Sequence, residues 1–151
     1  MAPAFDRSPE FAIDKPACFA CPNLDGADRC RIHDRLEPEG FRGCVLYDCL
    51  GAGQRVMQEL YPGRSWRDEP ELLEEMWRAL TALRGVHELI LLLTEAAKLP
   101  LSPDERATLE ALLEEFDPAG ATVSDHLAAC RAPLIARAAD FLRSLRRHVA
   151  R

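Results

Sequence analysis

"EPELLEEMWRALTALRGVHELILLLTEAAKLP", residues 69–100, decides the fold. Within it Leu73, Met76, Trp77, Leu80, Leu83, His87, Ile90 and Leu91 recur at the 3.6-residue period of a helix that buries one face. Pro70 suits a first turn, where an amide proton has no partner to lose. Asp68, Glu69 and Glu71 complement the positive end of the helix dipole, and Pro100 closes the segment. The run LILLL at 89–93 is apolar on nearly every side, so it must be covered, either as core or by a second protein surface; Trp66 and Trp77 face the same choice.

C-terminal to this helix, Ser102 can cap, Pro103 fits the first helical position, and Glu105 three residues on completes a capping box. Leu109, Leu112, Leu113 and Phe116 carry that helix forward until DPAG at 117–120 breaks it. A last helix starts at Thr122 or Ser124 and sets Val123, Leu127, Cys130, Leu134, Ala138, Phe141, Leu142, Leu145 and Val149 on one side, with Pro133 kinking or splitting it. Short connections between long amphipathic helices imply antiparallel neighbours. The expected fold class is therefore all-α, a small antiparallel helical bundle over residues 51–151. Strand-like alternation of useful length and internal repeats are both absent from the sequence.

The first third reads differently. Pro3, Pro9, Pro16, Pro22 and Pro38, with Gly26, Gly40 and Gly43, interrupt every candidate helix except a short one in ADRCRIHDRLE at 27–37. Residues 1–50 are expected to form a cysteine-rich irregular region, packed with the bundle as one compact domain. Five of the six cysteines lie there, as Cys18-x2-Cys21-x8-Cys30-x13-Cys44-x4-Cys49, with His33 three residues after Cys30. Three chemistries compete for them: a metal site, disulfides and a reactive dithiol. Zinc takes four tetrahedral thiolate or imidazole ligands and an iron–sulfur cluster usually takes four cysteines, so the inventory suffices without fixing which four bind. The dithiol reading wants a C-x-x-C at the start of a helix after a strand, whereas turn chemistry, PNLDGAD, follows Cys21. Cys130 reads as a small buried hydrophobe in the last helix.

A net charge of −6 argues against a nucleic-acid partner, and the basic tail RSLRRHVAR at 143–151 suits the negative end of a helix dipole. MAPAFDRSPEF at the N-terminus lacks the basic and apolar regions of a secretory signal, and LILLL is too short to span a bilayer. No membrane partner and a cytoplasmic location are expected, where clustered cysteines more often hold metal or do redox work than form stable disulfides. GAGQRV at 51–56 lacks the Lys-Ser/Thr of a phosphate loop and reads as the start of a helix. His87-Glu88 is half of a zinc-protease signature, but Leu91 stands where its second histidine belongs, so His87 reads as a helix histidine at a core edge. His126 and His148 lack ligand partners nearby in sequence, and no carboxylate pair suggests acid–base catalysis, so an enzyme is not expected.

The words FAIDKPA, CPNL, CRIHDRL, GFRGC, YDC and GAGQRV, in this order, resemble the cysteine-rich front segment of bacterial pentapeptide-repeat-containing proteins, densely over residues 5–56 and more loosely over the helices after them. That segment is in turn similar to the YkgJ-type zinc- or iron-chelating cysteine cluster domain. The resemblance implies metal chelation, with Cys21, Cys30, Cys44 and Cys49 on its recurring positions; Cys18 is added from spacing as a replacement for ligands that relatives carry upstream of FAIDKP. Either the true start lies further upstream or this member has lost part of the cluster. The pentapeptide solenoid itself is absent, so no solenoid-based role carries over. The expected function is a zinc- or iron-chelating accessory protein with a structural thiolate site. The alternatives are a metal-free helical module that binds a protein partner or a second copy of itself, and a thiol redox protein.

Overall fold

The computed structural model describes residues 3–149, and the chain divides into two compact units, Met1–Asp48 and Cys49–Arg151. Cys49 thus belongs to the second unit. Among the described residues the regular structure is helical, with three isolated β-bridges, all in the first unit.

The N-terminal unit is held by its backbone rather than by a core. Of residues 3–48, only Lys15 and Phe41 are fully buried. Phe5 and Lys15 exchange both backbone hydrogen bonds (2.9 and 2.8 Å), and so do Ser8 and Phe11 (2.9 and 3.2 Å), folding residues 5–15 back on themselves. The rings of Phe5 and Phe11 stack with centroids 4.1 Å apart. The short helix expected in 27–37 is reduced to one 3-10 turn, His33–Arg35. A five-residue helix, α1 (Arg42–Leu46), forms where the sequence reads as loop.

Two glycines join GFRGC to FAIDKP. Gly40 has φ +80°, open to glycine at little cost, and a Cβ on it would stand 3.0 Å from the Ala12 methyl. Gly43 lies under the Phe11 ring, where a Cβ would come within 2.2 Å of Cζ, and its N–H donates to Glu10 O at 3.0 Å.

The second unit is the expected helical assembly. α2 (Ala52–Arg55) continues into a π-helical turn over Val56–Leu60. α3 (Leu72–Ala96) is the central helix and contacts α2, α4 (Pro103–Phe116), α5 (Val123–Ala129) and α6 (Ala132–Ser144). The starts of α4, α5 and α6 have their cause in the sequence, whereas α3 begins at Leu72 without a side-chain cap, two residues after the Pro70 expected in its first turn. Ser102 and Glu105 make the capping box of α4, and Thr122 with Asp125 makes another at α5. Pro133 sits in the first turn of α6, splitting the last helical segment in two.

The core gathers Val86, Leu93 and Ala96 of α3, Leu109, Leu112 and Phe116 of α4, Ala129 of α5, and Leu134, Ala138 and Phe141 of α6. The buried seam of α3 runs through Leu72, Met76, Leu80, Leu83, Val86, Leu93 and Ala96. It is rotated from the expected stripe, so Leu73, Trp77, His87 and Ile90 are half-buried while Leu91 and Leu92 face solvent. Cys130 corrects its expectation outright. α5 ends at Ala129, Cys130 caps it with its N–H on Leu127 O, and the side chain is exposed instead of joining the core. Val149 is exposed as well, beyond the 3-10 turn Leu145–His148 into which α6 runs. No described helix is long and apolar enough to cross a membrane.

Candidate functional site

Local turns bring three cysteines of the N-terminal unit into one neighbourhood. CPNL forms a turn in which Leu24 N donates to Cys21 O (3.0 Å), and Leu24 bridges to Cys30. Arg31 N on Asn23 O (2.8 Å) and Asp25 N on Arg29 O (2.8 Å) zip the loop from both sides. The Asp25 carboxylate closes its tip by accepting from Ala27 N and Arg29 N at 2.8 and 2.9 Å, the local turn that aspartate favours. The loop therefore starts at Cys21 and returns to Cys30. Cys44 enters from α1, its N–H on Phe41 O at 3.0 Å, one residue after the glycine fixed under Phe11.

Electrostatics report the convergence. Partial burial pushes the Cys44 thiol up, and the negative charge of the Cys21 and Cys30 thiolates pushes it further. Charge on two thiols up to 23 positions away thus disfavours ionisation of Cys44, an effect that a nearby cation would reverse. Cys18 lies on the adjoining turn with φ +58°, an uncommon conformation for a residue with a Cβ. Burial pulls the Lys15 ammonium down while the Cys21 and Cys18 thiolates raise it.

All six cysteines are free thiols; Cys18, Cys21 and Cys30 are half-buried and Cys44 is exposed. Cys49 opens the helical unit, its thiol 3.5 Å from Gln54 Oε1. His33 is exposed beside Asp34 and joins none of them. Among the described residues no three Cys, His, Asp or Glu side chains stand in an arrangement that already holds a metal ion. The donor chemistry fits a soft cation nonetheless: thiols without disulfides, gathered in a unit with two buried side chains, where a crosslink of some kind has most to add.

The helical unit contains a polar cluster that residue-by-residue reading of the sequence misses. His126 is buried on α5, with Nε2 2.9 Å from Asp117 Oδ1 and Nδ1 3.1 Å from Arg55 Nη1. Because a guanidinium only donates, Nδ1 accepts and Nε2 carries the proton to Asp117. Arg55 also donates to Ala121 O (3.0 Å) and to Glu59, whose carboxylate accepts from Val123 N at 2.9 Å. The Arg55 hydrogen bond, then that of Val123, holds the Glu59 carboxyl below its ordinary range. His87 spans the cluster, with Nδ1 2.8 Å from Leu50 O and Nε2 3.3 Å from His126 Nδ1. This network closes the start of α5 onto α2 and α3. The signal available in sequence was the 123/126/129 spacing, which puts His126 on the buried side of its helix.

The groove beside Tyr61, Arg64, Glu75 and Arg78 is shallow and self-paired. Tyr61 Oη donates to Glu75 at 2.8 Å, burial and that bond push the phenol up to about 12, and the two arginines are held by Glu69 and Glu74.

The chain is 34% identical over 117 residues, 78% of its length, to an uncharacterized protein named YybG from Bacillus subtilis. It spans 42% of that relative's length. No family model and no solved structure matches.

Proposed function

We propose that this chain is a metal-binding accessory protein in which Cys21, Cys30 and Cys44, with Cys18 as the further candidate, hold one zinc or iron centre in a structural role. The observation that carries the reading is that the 21–30 loop closes on itself through the Leu24–Cys30 bridge, with free thiols at both its ends, in a unit whose described residues bury only one apolar side chain. A cation bound there would neutralise the thiolates and tie the 21–30 loop to α1, and its binding free energy would become folding free energy for residues 3–48. Closure draws the three thiols together from their neighbouring positions, the kind of ordering that metal drives in small modules. The resemblance of the 5–56 segment to chelating cysteine clusters supports the same donors. A reducing compartment such as the cytoplasm suits free thiols.

Metal analysis of the full chain purified without oxygen tests this. About one equivalent of zinc or iron is expected, falling on Cys21→Ser, Cys30→Ser or Cys44→Ser. Metal-free protein with fully titratable thiols refutes it. A second reading, self-association or protein binding through the helices, draws on the exposed Leu91 and Leu92 of α3. It predicts a dimer in sedimentation that Leu91→Glu disperses.

A further inference from the structure

His87 and His126 meet nitrogen to nitrogen in the polar cluster of the helical unit, and their hydrogen bonds are one proton short. His87 Nδ1 stands 2.8 Å from Leu50 O, and a carbonyl only accepts, so Nδ1 carries a proton. His126 Nδ1 accepts from Arg55 Nη1 at 3.1 Å, while Nε2 donates to Asp117 Oδ1 at 2.9 Å. That leaves His87 Nε2, 3.3 Å from His126 Nδ1, between rings set at 88°. In two neutral imidazoles, each with its one proton already placed, these facing nitrogens would both present lone pairs. Among the described residues Arg55 donates to His126, Glu59 and Ala121 and not to His87, so no other donor fills the gap.

A second proton on His87 resolves the conflict, since Nε2 can then donate to His126 Nδ1. That atom would accept from Arg55 and His87 together, and both its distances exceed the about 2.9 Å of an undivided N–H bond. The surrounding charges favour the same proton. Arg55 and Glu59 face the pair from α2 and its π-helical turn, and Asp117 from the connection ahead of α5. Asp125 on α5 is turned to the Thr122 cap, Arg84 and Glu88 on α3 pair with each other at 3.2 Å, and the Cys49 thiol faces Gln54. One guanidinium against the Glu59 and Asp117 carboxylates leaves a negative charge over, which one imidazolium cancels.

The carbonyl that His87 holds belongs to a strained residue. Leu50 has φ +53°, a left-handed backbone that a residue with a Cβ keeps only where its surroundings fix it. We propose that the folded chain holds one proton on His87 Nε2, so that the His87 imidazolium donates to Leu50 O and His126 Nδ1 at once and clasps the turn ahead of α2 to α5. The clasp is a pH-sensitive device. A proton held by the folded chain and not by the unfolded one adds stability at low pH, and that stability is lost as pH rises and the proton leaves.

The test is nitrogen NMR of isotope-labelled histidine rings in the full chain, where protonated and bare ring nitrogens resonate far apart. At about pH 7.5 an ordinary imidazole, titrating near about 6.5, is about nine-tenths neutral. His87 should instead show both nitrogens protonated, and His126 a proton on Nε2 alone. Asp117→Asn keeps an acceptor for His126 Nε2 and removes a charge, so His87 should lose its second proton at lower pH than in the wild type. Urea unfolding supplies the other readout: above about pH 7 the unfolding constant of the wild type, relative to that of His87→Gln, should rise by up to about tenfold per pH unit. The wild-type spectrum decides the matter even if His87→Gln fails to fold. His87 protonated on Nδ1 alone at about pH 7.5, or both protons on His126, overturns the proposal. Unfolding of the wild type and His87→Gln with the same pH dependence overturns the clasp as well.

Discussion

Replacing Gly43 by alanine should loosen the N-terminal unit through one contact. A Cβ there would meet Phe11 at 2.2, 2.5 and 2.8 Å from Cζ, Cε2 and Cε1. Carbon atoms pack at about 3.5–4.0 Å, so the ring must retreat by more than about 1 Å. It is not free to do so cheaply, since it stacks on Phe5 and its backbone is paired with Ser8. Losing the stack costs about 0.5–1.5 kcal/mol. An off-rotamer ring costs a similar amount, about 0.5–1.5 kcal/mol. Alanine returns up to about 1 kcal/mol of helix propensity at this position inside α1. The net expectation is a loss of about 1–2 kcal/mol, read as a roughly tenfold drop in amide-exchange protection at Phe5, Phe11, Lys15 and residue 43. A double-mutant cycle makes the test sharp. With Phe11→Ala the space is vacated, and Gly43→Ala should become neutral or stabilising. An equal cost in both backgrounds would refute the steric explanation.

Other outcomes follow from the helical unit. His126→Ala strips Asp117 and Arg55 of a buried partner and should cost about 2–4 kcal/mol in urea denaturation; a loss under about 0.5 kcal/mol would mean that the network does not stabilise the unit. Glu105 accepts from His148, Ser102 and Arg147, and these bonds, His148 first, hold its carboxyl well below the usual 4.5. A depressed folded value stabilises above the unfolded one and is lost as pH falls through it, so Glu105→Gln should flatten the decline in stability below about pH 5; an unchanged acid limb would count against it. Phe116→Ala should cost about 3–5 kcal/mol at a fully buried site, and Cys130→Ser within about 0.5 kcal/mol at an exposed one, by thermal denaturation.

The helices were legible because their punctuation is chemical. Ser102-Pro103 with Glu105, and Pro133, act on the chain within a turn of themselves, and each stands at a helix boundary, whereas α3 ends at Ala96, four residues before Pro100. The face of α3 was harder to read, since Leu72 and Leu73, Met76 and Trp77, and Leu91 to Leu93 offer adjacent apolar residues. Partners on α4, α5 and α6 choose between them. Cys130 illustrates the same limit at a break, where helical phase is lost. Of the candidate site, the closeness of Cys21 and Cys30 is written in the turn residues between them, whereas the placement of Gly43, next to Cys44, beneath Phe11 is a contact across 32 positions that no local pattern announces. Lys15 and the Arg55–His126 pair, 71 positions apart, lie outside any local pattern because tertiary placement alone gives them partners.

Chelation by the cysteines is most directly examined by titrating cobalt(II) into the reduced, oxygen-free full chain and following the sulfur-to-cobalt charge-transfer absorption. Saturation near about one equivalent, with bands of a tetrahedral thiolate complex that zinc then displaces, is the expected result. A spectrum that remains that of aqueous cobalt while every thiol stays titratable would contradict it and leave a metal-free helical protein.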